Sequence, residues 1–272
     1  MIGDYAGMTD GDAVVHLNFR ADRGRQLTQA LALDDFGAFD RGQRPPDLFV
    51  ATLTEYQAPD ELPVPVAFPP LEIDALPAYL ARLGLRQLHV AETEKYAHVT
   101  YFFNGGVEEP LPGEDRILVL SRRDVPTYDL APEMSAAEIT ARLVEAIASD
   151  TYDFIIVNYA NPDMVGHTGV WDAAVSAAEF VDGCLARVSE SVLDAGGALV
   201  VTADHGNIEE MRDAAGEPQT AHTTSPVPLV LVAEAWRGAR LRDGILADVA
   251  PTLCELMGLD PPPSMTGRSL LA

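Results

Sequence analysis

Lysine, cysteine and long apolar runs are the scarce features of this 272-residue sequence. Lys95 is the only lysine, so arginine supplies nearly all of the basic charge. Cys184 and Cys254 stand alone without a zinc-type spacing, and two free thiols are typical of the cytoplasm. No apolar run approaches the roughly 20 residues that a membrane-spanning helix needs. The first residues lack the basic start and apolar segment of a signal peptide, so we expect a cytoplasmic protein.

Positive charge is scarce as well. The sequence has 18 Lys and Arg against 42 Asp and Glu, which gives a formal net charge of -24 at pH 7. Such a surface repels polyanions, so we expect no nucleic-acid partner and no membrane partner. The acidic residues are scattered rather than gathered in a tail, which is typical of a solubilising surface. A hydrophobic fraction of 47% is enough to fill a core.

Short apolar segments alternate with helical segments along most of the chain. We predict strands at 12–18, 47–56, 86–92, 115–121, 152–160, 197–204 and 226–233, and helices at 19–33, 71–84, 95–106, 135–149, 171–196 and 246–258. Ser135 and Glu138 have the spacing of a capping box, and the apolar run 152–160 is typical of a central parallel strand. Strands joined by crossover helices predict an α/β fold around a mostly parallel sheet.

Residues 58–70 contain five prolines. Proline has no N–H and keeps its predecessor out of the helical region, so we predict an extended stretch that does not join a sheet. It is the best candidate for a linker. The sequence therefore predicts one region at 1–57, a proline-rich hinge at 58–70, and a larger α/β region at 71–272.

Three of the six histidines lie in loops beside predicted strands. Asp163 and His167 follow the strand 152–160 and are four residues apart, so one helical turn would place both on one face. Asp204 and His205 end the strand 197–204, where a sharp turn at Gly206 could bring them to one crevice. His222 precedes the last strand. Carboxylates and imidazoles are ligands that zinc and manganese accept.

Each of these residues also has an ordinary explanation. A single loop histidine is seldom a ligand, and either aspartate could cap a helix or close a turn. Three such groups at three strand ends are harder to explain separately, because ligands of open α/β sheets bind at the carboxyl ends of the strands. The sequence therefore predicts a metal site there.

Arg20 and Arg23 lie three residues apart at the start of a predicted helix. Positive side chains at the start of a helix are unfavourable because they oppose the helix dipole. The free N–H groups at that end favour a bound anion, and the two arginines could bind the same anion. A solvated helix face is the alternative. Lys95 stands between acidic residues in AETEKYAH and could equally form a surface ion pair.

Several longer motifs closely resemble cofactor-independent phosphoglycerate mutases of the alkaline phosphatase superfamily. The resemblance covers nearly the whole chain and rests on these segments: NFRADRGRQLTQA, AETEKYAHVTYFFNGG, PGEDRILV, TYDLAPEMSA, YDFIIVNYANPDMVGHTG, VVTADHGNIEEM, TAHTTSPVPLVLV and MTGRSLL. It implies an alkaline-phosphatase-like domain with two divalent metal ions, Mn²⁺ first and Zn²⁺ or Co²⁺ as alternatives. It also implies an inserted transferase domain that holds the phosphoglycerate substrate.

The resemblance implies a role for each candidate residue. Asp163, His167 and His222 would bind one metal ion, and Asp204 and His205 would bind the second. Residue Lys95 would contact the transferring phosphate, and the pair Arg20 and Arg23 would bind the substrate. Residues 1–57 would be the end of the transferase domain, and 58–70 the hinge to the phosphatase domain.

One departure from the family is large. The family opens with a strand that carries an aspartate ligand of the second metal and is followed by the serine nucleophile, and no serine of this chain has that setting. We therefore expect a C-terminal portion that lacks a central strand, has little or no mutase activity alone, binds one metal ion well, and exposes apolar surface. The missing N-terminal segment would be its partner. The alternatives are a non-catalytic metal-binding protein and another phosphohydrolase of the superfamily.

Overall fold

A computed structural model describes residues 7–19, 21–69 and 74–272, without the side chains of Asp22 and Arg23. The chain divides into two compact units, Met1–Glu72 and Ile73–Ala272. The assignment of 1–57 and 71–272 to transferase and phosphatase domains stays a prediction.

The first unit is a three-stranded parallel sheet with one helix. Its elements are β1 (Ala13–His16), α1 (Ala21–Ala32), β2 (Phe49–Thr54) and β3 (Val66–Phe68), with the strand order β1-β2-β3. A hydrogen bond of 3.0 Å between the ring of His16 and the hydroxyl of Thr28 joins α1 to β1. Gly24 lies against the ring of Tyr56, where an added Cβ would approach to 3.2 Å.

The prediction that 58–70 stays out of any sheet was wrong for β3. Val66 and Phe68 pair with β2 in parallel register, and the carbonyl of Pro65 accepts the N–H of Thr52 at 3.0 Å. Prolines precede and follow β3 but do not interrupt it, and β3 is an edge strand, where proline is tolerated. The role of 58–70 as a hinge stays a prediction.

The second unit contains the larger α/β arrangement. Its elements in chain order are α2 (Leu76–Arg82), β4 (Gln87–Glu92), β5 (Glu114–Val119), α3 (Ala136–Ala148), β6 (Phe154–Asn158), α4 (Asn161–Gly166), α5 (Trp171–Asp194), β7 (Leu199–Thr202), β8 (Leu229–Val232) and α6 (Val249–Leu256). Strands β5, β4 and β6 form a parallel sheet in that order, while β7 and β8 pair antiparallel. The predicted α/β fold with mostly parallel strands is confirmed.

Burial explains why β4 is central. All six of its residues are buried, and Leu88 and Val90 pack with Val119 of β5 and Ile139 of α3. Three of its six residues, Gln87, His89 and Glu92, are polar and yet fully buried, so β4 is central without being apolar throughout. Helix α2 ends at Arg82, two residues before Gly84, whose φ of +73° suits a residue without Cβ just past a helix end.

One local prediction was wrong. Ser135 precedes α3, but its hydroxyl donates to the carbonyl of Leu120 at 2.9 Å and makes no cap hydrogen bond. Glu138 lies 3.7 Å from Arg142 one turn along the helix. The predicted helix at 95–106 is present, but it opens with a 3₁₀ turn, Thr93–Lys95, and continues as a short π-helix, His98–Phe102.

Strand β6 is parallel as predicted, but it is not central among the described residues. It pairs with β4 on one edge, and its residues are only half-buried. In the described part of the chain, no helix combines the length and apolar character needed to cross a membrane.

Candidate metal centre

The candidate metal ligands lie where the second unit's strands end. Asp163 is in the first turn of α4, which follows β6 and has Pro162 in the same turn, where proline is tolerated. His167 follows the last residue of α4, four positions after Asp163, so both side chains point to one side as predicted. The connection between β7 and β8 brings both remaining histidines, His205 near its start and His222 near its end.

Asp163, His167 and His222 offer one ligand atom each within 4.8 Å of one another. Nε2 of His222 is 3.0 Å from Oδ1 of Asp163 and 3.1 Å from Nε2 of His167. Nε2 of His167 is 3.2 Å from the same carboxylate oxygen. Ligands at about 2.1 Å from one ion lie roughly 3.0–3.4 Å apart, so the spacing suits a shared divalent cation.

The chemistry of the three ligand atoms also fits a cation. Nδ1 of His167 lies 2.7 Å from the carbonyl of Thr220, to which it can only donate, so in the neutral ring Nε2 keeps its lone pair. A carboxylate oxygen and imidazole nitrogens that face one another repel unless a proton or a cation lies between them. The arrangement of Asp163, His167 and His222 can therefore bind a metal ion.

Lys95 is part of the same cluster. Its Nζ lies 2.5 Å from Oδ2 of Asp163, and the lysine is only 8% exposed. Burial raises the pKa of Asp163, but hydrogen bonds from Lys95 and Asn207 and the charge of Lys95 outweigh burial and lower that pKa to about 2. The carboxylate is therefore ionised at neutral pH and ready to bind a cation through Oδ1.

Asp204 and His205 lie beside this cluster. Both residues have left β7, and Nε2 of His205 is 3.6 Å from Oδ1 of Asp204 and 4.0 Å from Oδ1 of Asp163. The rings of His205 and His222 stack with centroids 3.6 Å apart. The side chain of Asp204 is 67% exposed, so it faces the open crevice. The pair can supply ligands to a second ion next to the first.

Four further residues around the cluster were missed in the sequence. His98 is one of them: burial and the positive charge of Lys95 lower its pKa, and the negative charges of Asp204 and Asp163 partly offset that effect. Asn207, Glu209 and Thr223 hold the loops of the site in place. The motif TADHGNIEE contains two of them, but polar residues in a loop give no signal of which partner they have.

The candidate substrate residues are not placed. Arg20 lies outside the described residues, and the side chain of Arg23 is not described. Their role in substrate binding stays a prediction.

Similar proteins point in the same direction as the geometry. The chain is 55% identical over 263 residues to the 2,3-bisphosphoglycerate-independent phosphoglycerate mutase of Syntrophotalea carbinolica, covering 96% of this chain and 51% of that protein. It is 58% identical over 274 residues to the protein of the same name from Thermomicrobium roseum, covering 98% and 52%. These relatives confirm the resemblance drawn from the motifs.

A solved structure is also similar. Phosphoglycerate mutase of Leishmania mexicana, determined at low cobalt concentration, matches with a TM-score of 0.76 and 34% identity over 97% of this chain and 51% of that one. The chain thus spans about half the length of the relatives it matches. The family described as the metalloenzyme superfamily matches residues 1–261, and the chain belongs to that superfamily.

Proposed function

We propose that this chain is the metal-binding C-terminal part of a phosphoglycerate mutase. The whole enzyme would interconvert 3-phosphoglycerate and 2-phosphoglycerate through a phosphoserine intermediate, in the cytoplasm. The observation that carries the proposal is the single crevice that gathers Asp163, His167 and His222 next to Lys95. The similarity to phosphoglycerate mutases over half their length supports it.

The proposed enzyme uses two divalent ions, with Mn²⁺ as the first choice and Zn²⁺ or Co²⁺ as alternatives. Asp163, His167 and His222 would hold one ion. Asp204 and His205 would supply part of the second site, which we expect to be weak in this chain because two residues make an incomplete set of ligands. Bound ions of this kind neutralise the charge of phosphoryl oxygens and orient them.

Lys95 is the cation that this chain itself would bring to a phosphoryl group. In the crevice its ammonium is held by Asp163 and shielded from solvent. A unit charge pair at about 4 Å contributes roughly 4 kcal/mol at an effective dielectric of 20. The net charge of -24 opposes an anionic substrate, but charges beyond about 8 Å are largely screened at physiological salt. Arg20 and Arg23 would bind the glycerate part of the substrate.

The nucleophile would come from a segment outside this chain. Strand β6 has one partner among the described strands, and β7 pairs only with β8. A cavity of about 690 Å³ lies between them, lined by Val157 of β6, Val200 of β7 and the apolar face of α5. A strand edge with free backbone N–H and C=O groups, next to an apolar helix face, favours the addition of another strand. We therefore propose that the missing N-terminal segment inserts a strand in this cavity.

Complementation tests the proposed function. We expect no conversion of 3-phosphoglycerate by the chain alone with Mn²⁺, and conversion after addition of a separately made N-terminal half from a full-length relative. His222→Ala in the mixture should abolish activity. Robust activity of the chain alone would refute the need for a partner, and an inactive mixture that still binds Mn²⁺ would favour a non-catalytic metal-binding protein.

The site of strand insertion has its own test with a matched control. Val175 and Leu193 are both on α5 and both 40% exposed, but only Val175 lines the cavity between β6 and β7. We expect Val175→Asn to weaken association with the N-terminal half at least tenfold, measured by calorimetry, and Leu193→Asn to leave it unchanged. Equal effects of the two substitutions would place the partner elsewhere.

A further inference from the structure

A single connection, residues 203–228, links β7 to β8 and carries the exposed side of the metal cluster. Its first part, 203–210, contains His205 and is named the His205 loop, and its last part, 220–228, contains His222 and is named the His222 loop. Two backbone bridges join the halves of this connection in the described part of the chain: Arg212 pairs with Pro218 near its tip, where the N–H of Gln219 also donates to the carbonyl of Met211 at 2.9 Å, and the N–H of Thr223 donates to the carbonyl of Gly206 at 3.0 Å beside the metal cluster. The stacked imidazole rings therefore have one backbone hydrogen bond close to them, and a single hydrogen bond is a weak restraint.

Glu209 adds a second connection between the same loops. One oxygen of its carboxylate accepts the backbone N–H of Asn207 at 2.6 Å, and the other accepts the hydroxyl of Thr223. That hydroxyl also accepts the N–H of Ser225 at 3.3 Å. The carboxylate thus holds a residue beside His205 and a residue beside His222 at a fixed separation.

Asn207 extends this connection to the third ligand. Its side chain is 6% exposed, and its amide nitrogen donates to Oδ1 of Asp163 at 2.9 Å and to the carbonyl of the same residue at 3.2 Å. Lys95 occupies the other carboxylate oxygen. The two donors together fix the rotation of the Asp163 carboxylate, so that Oδ1 faces His167 and His222.

Two glycines lie directly against these side chains. A Cβ added at Gly206 would overlap the oxygens of Glu209 and Thr223, and a Cβ added at Gly166 would overlap Asn207. Glycine at both positions lets the backbone approach the polar side chains closely. The close contacts of Glu209 and Thr223 therefore depend on glycine at 206, and those of Asn207 depend on glycine at 166.

We propose that Asn207, Glu209 and Thr223 form a clasp that holds the His205 loop against the His222 loop and orients Asp163 for divalent-cation binding. The three residues are positioning residues, because they act through the ligands and not on the cation. The inference rests on the metal site proposed above. Groups that orient metal ligands typically change metal affinity 10–100-fold when they are removed.

The test uses the whole 272-residue chain and Co²⁺ as the probe. Co²⁺ is titrated into wild type, Glu209→Ala, Thr223→Val and Thr223→Ser, and binding is followed by visible absorption, whose bands report coordination geometry. We expect Glu209→Ala and Thr223→Val to lower the affinity at least tenfold and to alter the bands. Thr223→Ser keeps the hydroxyl and should bind within about twofold of wild type.

A second measurement needs no metal. Hydrogen exchange of the Thr223 amide in the metal-free chain should accelerate in Glu209→Ala and Thr223→Val and stay near wild type in Thr223→Ser. Unchanged exchange in all three variants overturns the clasp. Unchanged affinity and bands in Glu209→Ala and Thr223→Val, with only a lower melting temperature, also overturn it. Failure of wild type to bind Co²⁺ refutes the metal site instead, and the exchange rates then decide whether the clasp exists.

Discussion

Gly166 offers a direct test of the close packing beneath the metal cluster. It is the last residue of α4 and is buried, and an added Cβ would lie 2.7 Å from Cγ of Asn207 and 2.9 Å from Cγ2 of Ile208. Both distances are shorter than carbon contacts permit, so Gly166→Ala must push the loop that follows β7 away from α4. Overpacking of this kind costs about 1–3 kcal/mol.

The net effect also includes the helix preference of alanine. Replacing glycine by alanine in a helix stabilises by at most about 1 kcal/mol, and less at a helix end. We therefore expect Gly166→Ala to lower the free energy of unfolding by about 1–2 kcal/mol and the melting temperature by roughly 2–8 °C. Because Asn207 contacts Asp163, Co²⁺ affinity should fall as well.

Gly183 is the matched control. It lies in the middle of α5 on the exposed side, and an added Cβ would meet no atom within 4 Å. Gly183→Ala should stabilise the chain by about 0.5–1 kcal/mol. Thermal unfolding of the metal-free proteins, followed by circular dichroism, gives both values. A Gly166→Ala protein that melts at or above wild type and binds Co²⁺ equally would refute the packing argument.

Two predictions concern buried charges. Lys95→Met removes the main group that holds the pKa of Asp163 at about 2. The lowered pKa stabilises the folded state above about pH 4, and this stabilisation is lost as the pH falls towards 2. Urea denaturation in the presence of a chelator should therefore show that the variant loses at most about 2 kcal/mol of unfolding free energy at pH 7 and little at pH 2. An equal loss at both pH values would show that packing and not charge explains it. Glu92 is fully buried, and burial raises the pKa of its carboxyl group. The protonated carboxyl favours the folded state below about pH 4.5, and this contribution to stability is lost as the pH rises through the pKa of the folded state. Glu92→Gln should therefore gain stability relative to wild type as pH rises from 4 to 8, and a difference independent of pH would contradict the burial argument.

Local spacing accounts for much of what could be predicted from the sequence. Asp163 lies in α4 and His167 directly follows it with helical backbone, so the relation of the two residues follows from helical geometry and was visible in the sequence. The long helix α5 was equally visible, because its apolar pattern depends on one buried face. Asp204, His205 and His222 were candidates because they lie beside the ends of predicted strands, and the family resemblance then divided the ligands between two ions.

Partners that are distant in the sequence could not be predicted. Ser135 has the spacing of a cap, yet its hydroxyl bonds to Leu120 because the end of β5 passes nearby in the fold. Val66 and Phe68 join a sheet because β2 offers them an edge. In each case a contact between residues far apart in the sequence replaces the local one, and the sequence alone does not show which distant residues come together.

The sequence by itself was enough to predict the fold class, the positions of most helices and strands to within a few residues, and a set of candidate metal ligands. Only the tertiary structure decided that Lys95 lies against Asp163, that Asn207 and Glu209 connect the ligand loops, and that β6 and β7 leave a cavity between them. The physical reason is range: helix and strand preferences act over a few residues, whereas a metal site requires side chains from separate loops to converge within a few ångströms.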